Sequence, residues 1–318
     1  MPIIQHLTNS AGGGSGTDIN LLLKGRWGTD ASVGATVSNY WSSATANNYS
    51  GQKSNTFVEG DFTRVGDGIL SFLLPAATYK IYAKSGHGSG NYSWNGMSTE
   101  ANLTLSSDTD VLLLIPNHGV GSYSGGGGFY LIAGTDYTSA SNTALLILGG
   151  GGGGYSSQND WGKPGALSTA LSQTRRGPSN ATNGDYDGGA SWKNEYTPET
   201  YSSGYQAYAA RNFVQGGKGG TVGACGPVAG FGGGGGSCPG GGGGLQGGYP
   251  GTNSHNGGSG YGGSQSWSGG QMGGGGGTSY YNSSYITNLS NTNYGSSNTA
   301  GYSTEQVAHN GYFGIYTV

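Results

Sequence analysis

One short stretch of the sequence has the residue types and spacing of half a calcium-binding loop. In NGDYDGG, side chains with oxygen atoms stand at Asn183, Asp185 and Asp187, and a glycine follows. EF-hand loops place oxygen ligands at alternate positions and close the site with a bidentate glutamate at the last position. That position is Asn194 in this chain. We therefore favour a plain surface turn over a calcium site and predict no metal.

Two cysteines, Cys225 and Cys238, are the other candidates for covalent or metal chemistry. Their spacing would allow a disulfide bond that closes a short loop. Two small buried thiols are the alternative, and the sequence leaves both open. Because no CxxC pair is present, a structural zinc site is not expected.

The residue types that catalyse reactions are scattered along the chain. The five histidines lie far apart. There is no GxSxG nucleophile elbow and no phosphate-binding loop that ends in GK[ST], and GxGxxG matches carry no information where glycines crowd. Glu195 and Glu199 near Asp185 and Asp187 are the only loose cluster of acids, whereas a glycan-cleaving enzyme needs paired carboxylates. We therefore predict a non-enzymatic protein without a cofactor.

The composition excludes several classes of protein. Of the 318 residues, 71 are glycine, about three times the ordinary share. Only 8% are charged and 11% are aromatic, whereas disordered chains are usually rich in charge and poor in aromatic rings. The net charge of −3 leaves no basic footprint for nucleic acid. We expect neither membrane insertion nor a secretory signal, because no apolar run is long enough and the N-terminus lacks a basic start.

Short apolar runs rich in β-forming residues, separated by turn residues, predict strands along most of the chain. They are INLLL (19–23), TFVEGDFTRV (56–65), ILSFLL (69–74), YKIYA (79–83), ANLTLS (101–106), VLLLI (111–115), FYLIA (129–133), ALLIL (144–148) and FGIYTV (313–318). No segment has a long helical period. We predict a mainly β fold, a small sandwich or barrel, with an N-terminal β-rich attachment or oligomerisation region at 1–68 and a glycine-rich domain at 69–318.

Runs of glycine lie between these predicted strands in the sequence. They fall at 125–128, 149–154, 232–236, 240–244 and 273–277. An extended helix with three residues per turn makes no internal hydrogen bonds, so bare backbones can pair with one another, and any Cβ at a contact would push them apart. Ordering a lone run costs more entropy than its hydrogen bonds return, so a bundle needs a scaffold. Because ALLIL leads directly into a run, we predict a bundle of polyglycine II helices held by the β framework rather than a flexible linker.

The order of strands and glycine runs is similar to one known family. The segments are YKIYAKSGHGSG (79–90), LTLSSDTDVLLLIPNHGVG (103–121), SGGGGFYLIA (124–133), TALLILGGGGGGY (143–155), FGGGGGSCPGGGGGLQGG (231–248), MGGGGGTSYYN (272–282) and NGYFGIYTV (310–318). This series resembles the glycine-rich domain of the anaplastic lymphoma kinase and leukocyte tyrosine kinase receptors. The resemblance implies a β framework that holds a hexagonal bundle of polyglycine helices over about residues 70–318. IPNHG (115–119) departs from the usual turn, and the inserts are unrelated.

The inserts between the glycine runs are rich in Tyr, Ser and Asn, the residues that antibody loops favour for binding. Their aromatic rings also suit the faces of sugars. The predicted receptor-binding residues are Tyr186, Trp192, Tyr196, Tyr201, Tyr205, Tyr208, Tyr249, Tyr261 and Trp267. The alternative is that these rings pack against and cap the ends of the glycine bundle, and both roles can hold for different residues.

A looser resemblance, in principle rather than in aligned motifs, is to the tail-fibre-tip adhesins of T-even-like bacteriophages, which also stack polyglycine helices. It implies a structural and adhesive protein on the outer surface of a virus particle, as a phage tail-fibre tip or a capsid fibre. The expected partners are a host glycan or outer-membrane protein, other virion proteins through residues 1–68, and further copies of the chain, with a trimer favoured. A secreted matrix or filament-forming protein is the alternative.

Overall fold

A computed structural model describes residues 20–24, 62–66, 68–90, 93, 95–119, 124–154, 167–171, 189–193, 210–220, 230, 232–235, 240–248, 276–293 and 311–318. Within these ranges the chain is mainly β, and its only helical element is a single 3₁₀ turn at Phe213–Gln215. The strands are β1 (Asn20–Lys24), β2 (Thr63–Val65), β3 (Ile69–Leu74), β4 (Ala77–Lys84), β5 (Ser98–Leu105), β6 (Thr109–Leu114), β7 (Phe129–Ala133), β8 (Thr143–Leu148), β9 (Leu167–Ser168), β10 (Ser279–Tyr281), β11 (Ile286–Asn293) and β12 (Tyr312–Thr317).

The strands form two sheets. The five-stranded sheet has the order β1-β12-β4-β5-β11, and all its neighbours are antiparallel. The seven-stranded sheet has the order β2-β3-β6-β7-β8-β10-β9, antiparallel except for the short β9–β10 pair. Four of the antiparallel pairs, β2–β3, β4–β5, β6–β7 and β7–β8, join described strands that follow one another in sequence.

The sequence patterns of the strands differ between the sheets because the sheets are buried differently. In β4, ATYKIYAK, buried and half-buried residues alternate, as in a sheet with one face on the core. In β7 and β8, FYLIA and TALLIL, almost every side chain is buried, as in a sheet covered on both faces. The seven-stranded sheet is therefore the central layer of the molecule.

The first core lies between the two sheets. Tyr79, Ile81 and Leu103 of the five-stranded sheet belong to the same cluster as Phe129 and Leu131 of the seven-stranded sheet. All five side chains have no more than 1% of their surface exposed. Burial of large apolar side chains contributes roughly 1.5–3 kcal/mol each, so this layer is the main source of stability.

A second core covers the opposite face of the seven-stranded sheet. Tyr130 and Ile147 of that sheet pack in one cluster with Trp192, Phe213 and Leu245, which come from segments without strand structure. The Tyr130 and Phe213 rings are 5.1 Å apart between centroids. Among the described residues, side chains from segments far apart in sequence, rather than a third sheet, therefore cover this face.

The prediction of a mainly β fold is confirmed, and each apolar run that lies in the described residues contains a strand. Strands β9, β10 and β11 were missed, since LS, SYY and ITNLSNTN lie in mainly polar segments outside the predicted apolar runs. The described strands of residues 1–68, β1 and β2, pair with β12 and β3. They therefore belong to the same two sheets as the rest of the chain, and the attachment role of this region stays a prediction.

Several buried ionisable groups in these sheets have shifted pKa values. Burial lowers the pKa of Lys84, at the end of β4, to about 8 from 10.5. Burial raises the pKa of Tyr79 and of Tyr130 well above the ordinary 10.0, with the nearby Asp108 carboxylate adding to the shift at Tyr79. The Tyr79 hydroxyl donates to the carbonyl of Pro75 at 2.6 Å.

These shifts predict a stability maximum near pH 10. Above about pH 8 unfolded Lys84 still binds a proton that the folded protein has released, so stability rises with pH, by on the order of 2 kcal/mol. Above pH 10 the unfolded tyrosines lose protons that folded Tyr79 and Tyr130 keep, so stability falls. Urea unfolding from pH 7 to 11 measures the curve. Lys84→Met should make the rise clearly smaller, leaving the contribution of Lys193, whose pKa burial also lowers, and Lys80→Met, on the same face of β4, should keep the full rise. An undiminished rise in Lys84→Met would contradict the assignment.

Candidate functional site

The glycine stretches continue the strands at one end of both sheets. Residues 115–119 follow β6, 124–128 precede β7, and 149–154 follow β8. Because β6, β7 and β8 are antiparallel neighbours, these three stretches leave the seven-stranded sheet at the same end. Residues 85–89, after β4 of the other sheet, join them there through a bond from the Gly86 amide to the Gly127 carbonyl of 2.9 Å. We call this assembly the glycine array; its other members are residues 189–190, 232–235, 240–248 and 276–278.

Backbone hydrogen bonds join different stretches of the array and repeat every three residues. Amides three residues apart on one stretch donate to carbonyls three residues apart on one neighbour. The pairs are Gly125 to Gly235 and Gly128 to Gly232 (both 2.9 Å), Gly150 to Gly243 and Gly153 to Gly240 (2.8 and 3.0 Å), and Gly151 to Gly86 and Gly154 to Ser89 (3.0 and 3.1 Å). The amides of the intervening residues donate to other stretches: the Gly126 amide donates to the Gly151 carbonyl, and the Gly127 amide donates to the Asn117 carbonyl. Successive residues of a stretch therefore face different neighbours.

The stretch 240–244 lies at the centre of the array. Six other stretches surround it, namely 124–128, 149–154, 189–190, 232–235, 246–248 and 276–278. All five glycines of this stretch are buried, although they have no side chains. The backbone itself is therefore the packing surface.

Close approach of the backbones leaves no room for a side chain in the interior of the array. A Cβ on Gly126 would lie within 3.0 Å of the Gly86 carbonyl, and a Cβ on Gly150 would lie equally close to the Gly126 carbonyl. A Cβ on Gly242 would meet the Gly150 carbonyl in the same way. These neighbours are backbone atoms, which cannot rotate away as the end of a flexible side chain could.

A few side chains fasten the array to the sheets. The Ser85 hydroxyl donates to the Gly149 carbonyl at 2.6 Å, and the Gly149 amide donates to the Ser279 hydroxyl at 2.9 Å. The buried Tyr130 hydroxyl donates to the Gly244 carbonyl at 3.0 Å. These hydrogen-bonding residues could not be predicted from the sequence. Each partner lies far away in the chain, so no local pattern marks the pair.

The structure describes one of the predicted receptor-binding residues, Trp192, and not the other eight. Trp192 is only 2% exposed and packs in the second core, so its ring does not face a receptor in this structure. It instead fits the alternative in which aromatic rings pack beside the glycine stretches. The remaining predicted residues lie outside the described part of the chain: Tyr186, Tyr196, Tyr201, Tyr205, Tyr208, Tyr249, Tyr261 and Trp267.

The metal and disulfide candidates, Asn183, Asp185, Asp187, Cys225 and Cys238, also lie outside the described residues. Among the residues that are described, no group of three or more His, Cys, Asp or Glu side chains is placed to hold a metal ion.

At the end of the seven-stranded sheet opposite the array, an open cavity of about 430 Å³ is lined by Asp108, Asp110 and Asp136. Two of these carboxylates already accept hydrogen bonds. Asp108 accepts from the Ala76 amide at 2.8 Å, and Asp136 accepts from the amide and hydroxyl of Thr138. The hydrogen bonds from Thr138 lower the pKa of Asp136. They also tie this carboxylate to its own turn.

The sequence matches no protein-family model and no curated protein. The family resemblance of the glycine pattern therefore rests on the residues quoted above. In the part of the chain that the structure describes, no helix is long and apolar enough to cross a membrane.

A methyl group in the middle of the array should destabilise the protein strongly. Gly126→Ala and Gly150→Ala each place a Cβ against backbone carbonyls, and we expect each to lower the free energy of unfolding by about 3 kcal/mol. Urea denaturation followed by circular dichroism measures the change. Ser106→Thr adds one methyl group on an exposed turn and should change stability by less than about 0.5 kcal/mol. Alanine variants as stable as the parent would refute backbone-to-backbone packing at these positions.

Proposed function

We propose that the glycine array is a bundle of polyglycine II helices and that the chain is a non-enzymatic structural protein of a virus particle. In this proposal the two sheets and the bundle form a rigid head. The inserts between the glycine stretches carry the surface that binds a host cell.

The three-residue repeat of hydrogen bonds supports the helix assignment. In a β-ribbon, successive amides alternate between two sides, so residues two apart would share a neighbour. In an extended threefold helix, residues three apart share a neighbour and no bond stays within the helix. The second arrangement accounts for Gly150 and Gly153 on one neighbour and Gly151 and Gly154 on another.

The adhesive role is supported by the way the inserts meet the array. The segments that lead to and from the inserts, including 149–154, 189–192 and 240–248, are buried, and backbone hydrogen bonds connect them through 240–248. A rigid base lowers the entropy lost when a loop binds, because the ends of the loop are already fixed. Tyr-, Ser- and Asn-rich loops on such a base have the composition of a binding surface, and their aromatic rings suit the faces of host-cell glycans.

The bundle predicts slow amide exchange where the sequence alone resembles a flexible linker. The amides of Gly126, Gly150 and Gly243 should exchange at least about a hundredfold more slowly than those of an unstructured glycine peptide, because each is buried and bonded. Nuclear magnetic resonance of the folded chain measures the rates, with the β7 and β8 amides as internal reference. Rates equal to those of the free peptide would exclude the bundle.

The adhesin role predicts binding of the purified chain to whole cells of a restricted set of bacterial hosts. A triple replacement of Tyr196, Tyr201 and Tyr205 by alanine should reduce binding at least about tenfold with little change in unfolding free energy. Oxidation of the sugars of the surface glycan by periodate, which opens their rings at vicinal diols, separates a glycan receptor from a protein one. Thr104→Ala, on an exposed position of β5, is the control. Assembly of the purified chain into filaments without binding to any cell would favour the matrix or filament alternative.

A further inference from the structure

Two tyrosines lie side by side on the face of the five-stranded sheet that is turned away from the first core. Tyr82 of β4 and Tyr316 of β12 are half-buried, whereas their chain neighbours Ile81 and Ile315 are buried in that core. Side chains alternate between the faces of a strand, so both rings lie on the outer face. The ring centroids are 5.9 Å apart, the planes are inclined by 21°, and the hydroxyl oxygens are 3.2 Å apart and hydrogen-bonded. The rings are therefore stacked, with their hydroxyl ends closer together than their centres.

The backbone of the sheet fixes this tyrosine pair. Strands β4 and β12 are antiparallel neighbours over six residue pairs, in which Tyr82 lies opposite Gly314 and Tyr316 lies opposite Lys80. The two tyrosines are therefore diagonal neighbours, a separation that aromatic side chains can span. Because Gly314 has no side chain, the strand position opposite Tyr82 leaves room for the Tyr82 ring to reach Tyr316. Two side chains 234 residues apart in sequence are thus held in contact.

Stacked phenols with adjacent hydroxyl groups are placed for oxidative coupling. A one-electron oxidant takes an electron from each phenol, and each hydroxyl proton passes to water, which leaves two phenoxyl radicals. The unpaired electron of each radical is shared between the oxygen and the two ring carbons ortho to it. These carbons flank the hydroxyl-bearing carbon, so they lie at the ends of Tyr82 and Tyr316 that are closest together. A bond between one ortho carbon of each ring gives dityrosine, once each bonded carbon has passed its hydrogen to the oxygen of its own ring.

We propose that Tyr82 and Tyr316 are a modification site at which a one-electron oxidant forms a dityrosine cross-link between β4 and β12. The co-reactant is a peroxide acting through a peroxidase: two tyrosines and one hydrogen peroxide give one dityrosine and two waters. The link closes a covalent loop from residue 82 to residue 316, which contains strands β5 to β11 and every described stretch of the glycine array. Such a link restricts the unfolded chain, as a disulfide bond does. The cross-link goes beyond the adhesin function and does not depend on it.

Oxidation of the purified chain by a photo-excited ruthenium complex tests the proposal, with persulfate taking up the two electrons as it is reduced to sulfate. We expect a blue-fluorescent product at the mass of a single chain, lower by two hydrogen atoms, in which mass spectrometry of the digested protein finds Tyr82 joined to Tyr316. Tyr82→Phe and Tyr316→Phe keep the rings but form no phenoxyl radical there. Each should reduce the dityrosine yield within the chain at least about tenfold, because proximity accelerates coupling. Tyr312→Phe, on the same face of β12, is the matched control and should keep the link.

The same oxidation in concentrated urea separates the geometry of the fold from the general reactivity of tyrosines. The link between residues 82 and 316 should be lost there, and the linked chain should unfold at a higher urea concentration than the parent. The proposal is wrong if the linked peptides join other tyrosines, if Tyr82→Phe forms as much dityrosine as the parent, or if the 82–316 link forms equally well in urea. None of these measurements involves a host cell, so failure of the adhesin function would leave their outcome unchanged.

Discussion

The hydrogen bonds between glycine backbones in the array are the constraint on which the rest of the structure depends. Amides and carbonyls of Gly126, Gly150 and Gly243 bond to one another across stretches that are far apart in sequence. Such bonds form only while no Cβ separates the backbones, which is why the residue at these positions is glycine. Each bond contributes about 0.5–1.5 kcal/mol, so stability comes from their number and their burial together.

Glycine is also the residue that loses most freedom on ordering, so the array cannot form by itself. The two sheets solve this problem by fixing the ends of the stretches. Strands β6, β7 and β8 deliver three of them at one end of one sheet, at the spacing of neighbouring strands. The apolar cores then stabilise the strands, and the strands hold the array, which in turn covers the sheet ends. Sheets and array are therefore one cooperative unit.

The framework could be predicted from the sequence because its signals are local. Alternation in YKIYA and continuous apolar runs in VLLLI and ALLIL each identify a strand, and the difference between them matches one-sided and two-sided burial. Strand β11 was missed because it is a polar edge strand with only Ile286 buried among its described side chains. The burial of Trp192 could not be predicted, because its insert is rich in exposed residue types and the burial depends on contact with a distant sheet. Lys193 has carbonyl partners 51 and 53 residues away, which no local pattern marks.

In the function that we propose, the same architecture combines a rigid base with inserts that carry the binding surface. A side chain in the array costs several kcal/mol, since it meets backbone atoms, so substitutions there are excluded. The insert that follows β8 meets the array at Ser191 and Asn212, where the Ser191 amide donates to the Asn212 side-chain oxygen. Sequence changes within an insert therefore alter what is presented without altering the base. In the adhesin function that we propose, this separation lets the inserts follow a host target while the backbone bonds of the array stay the same.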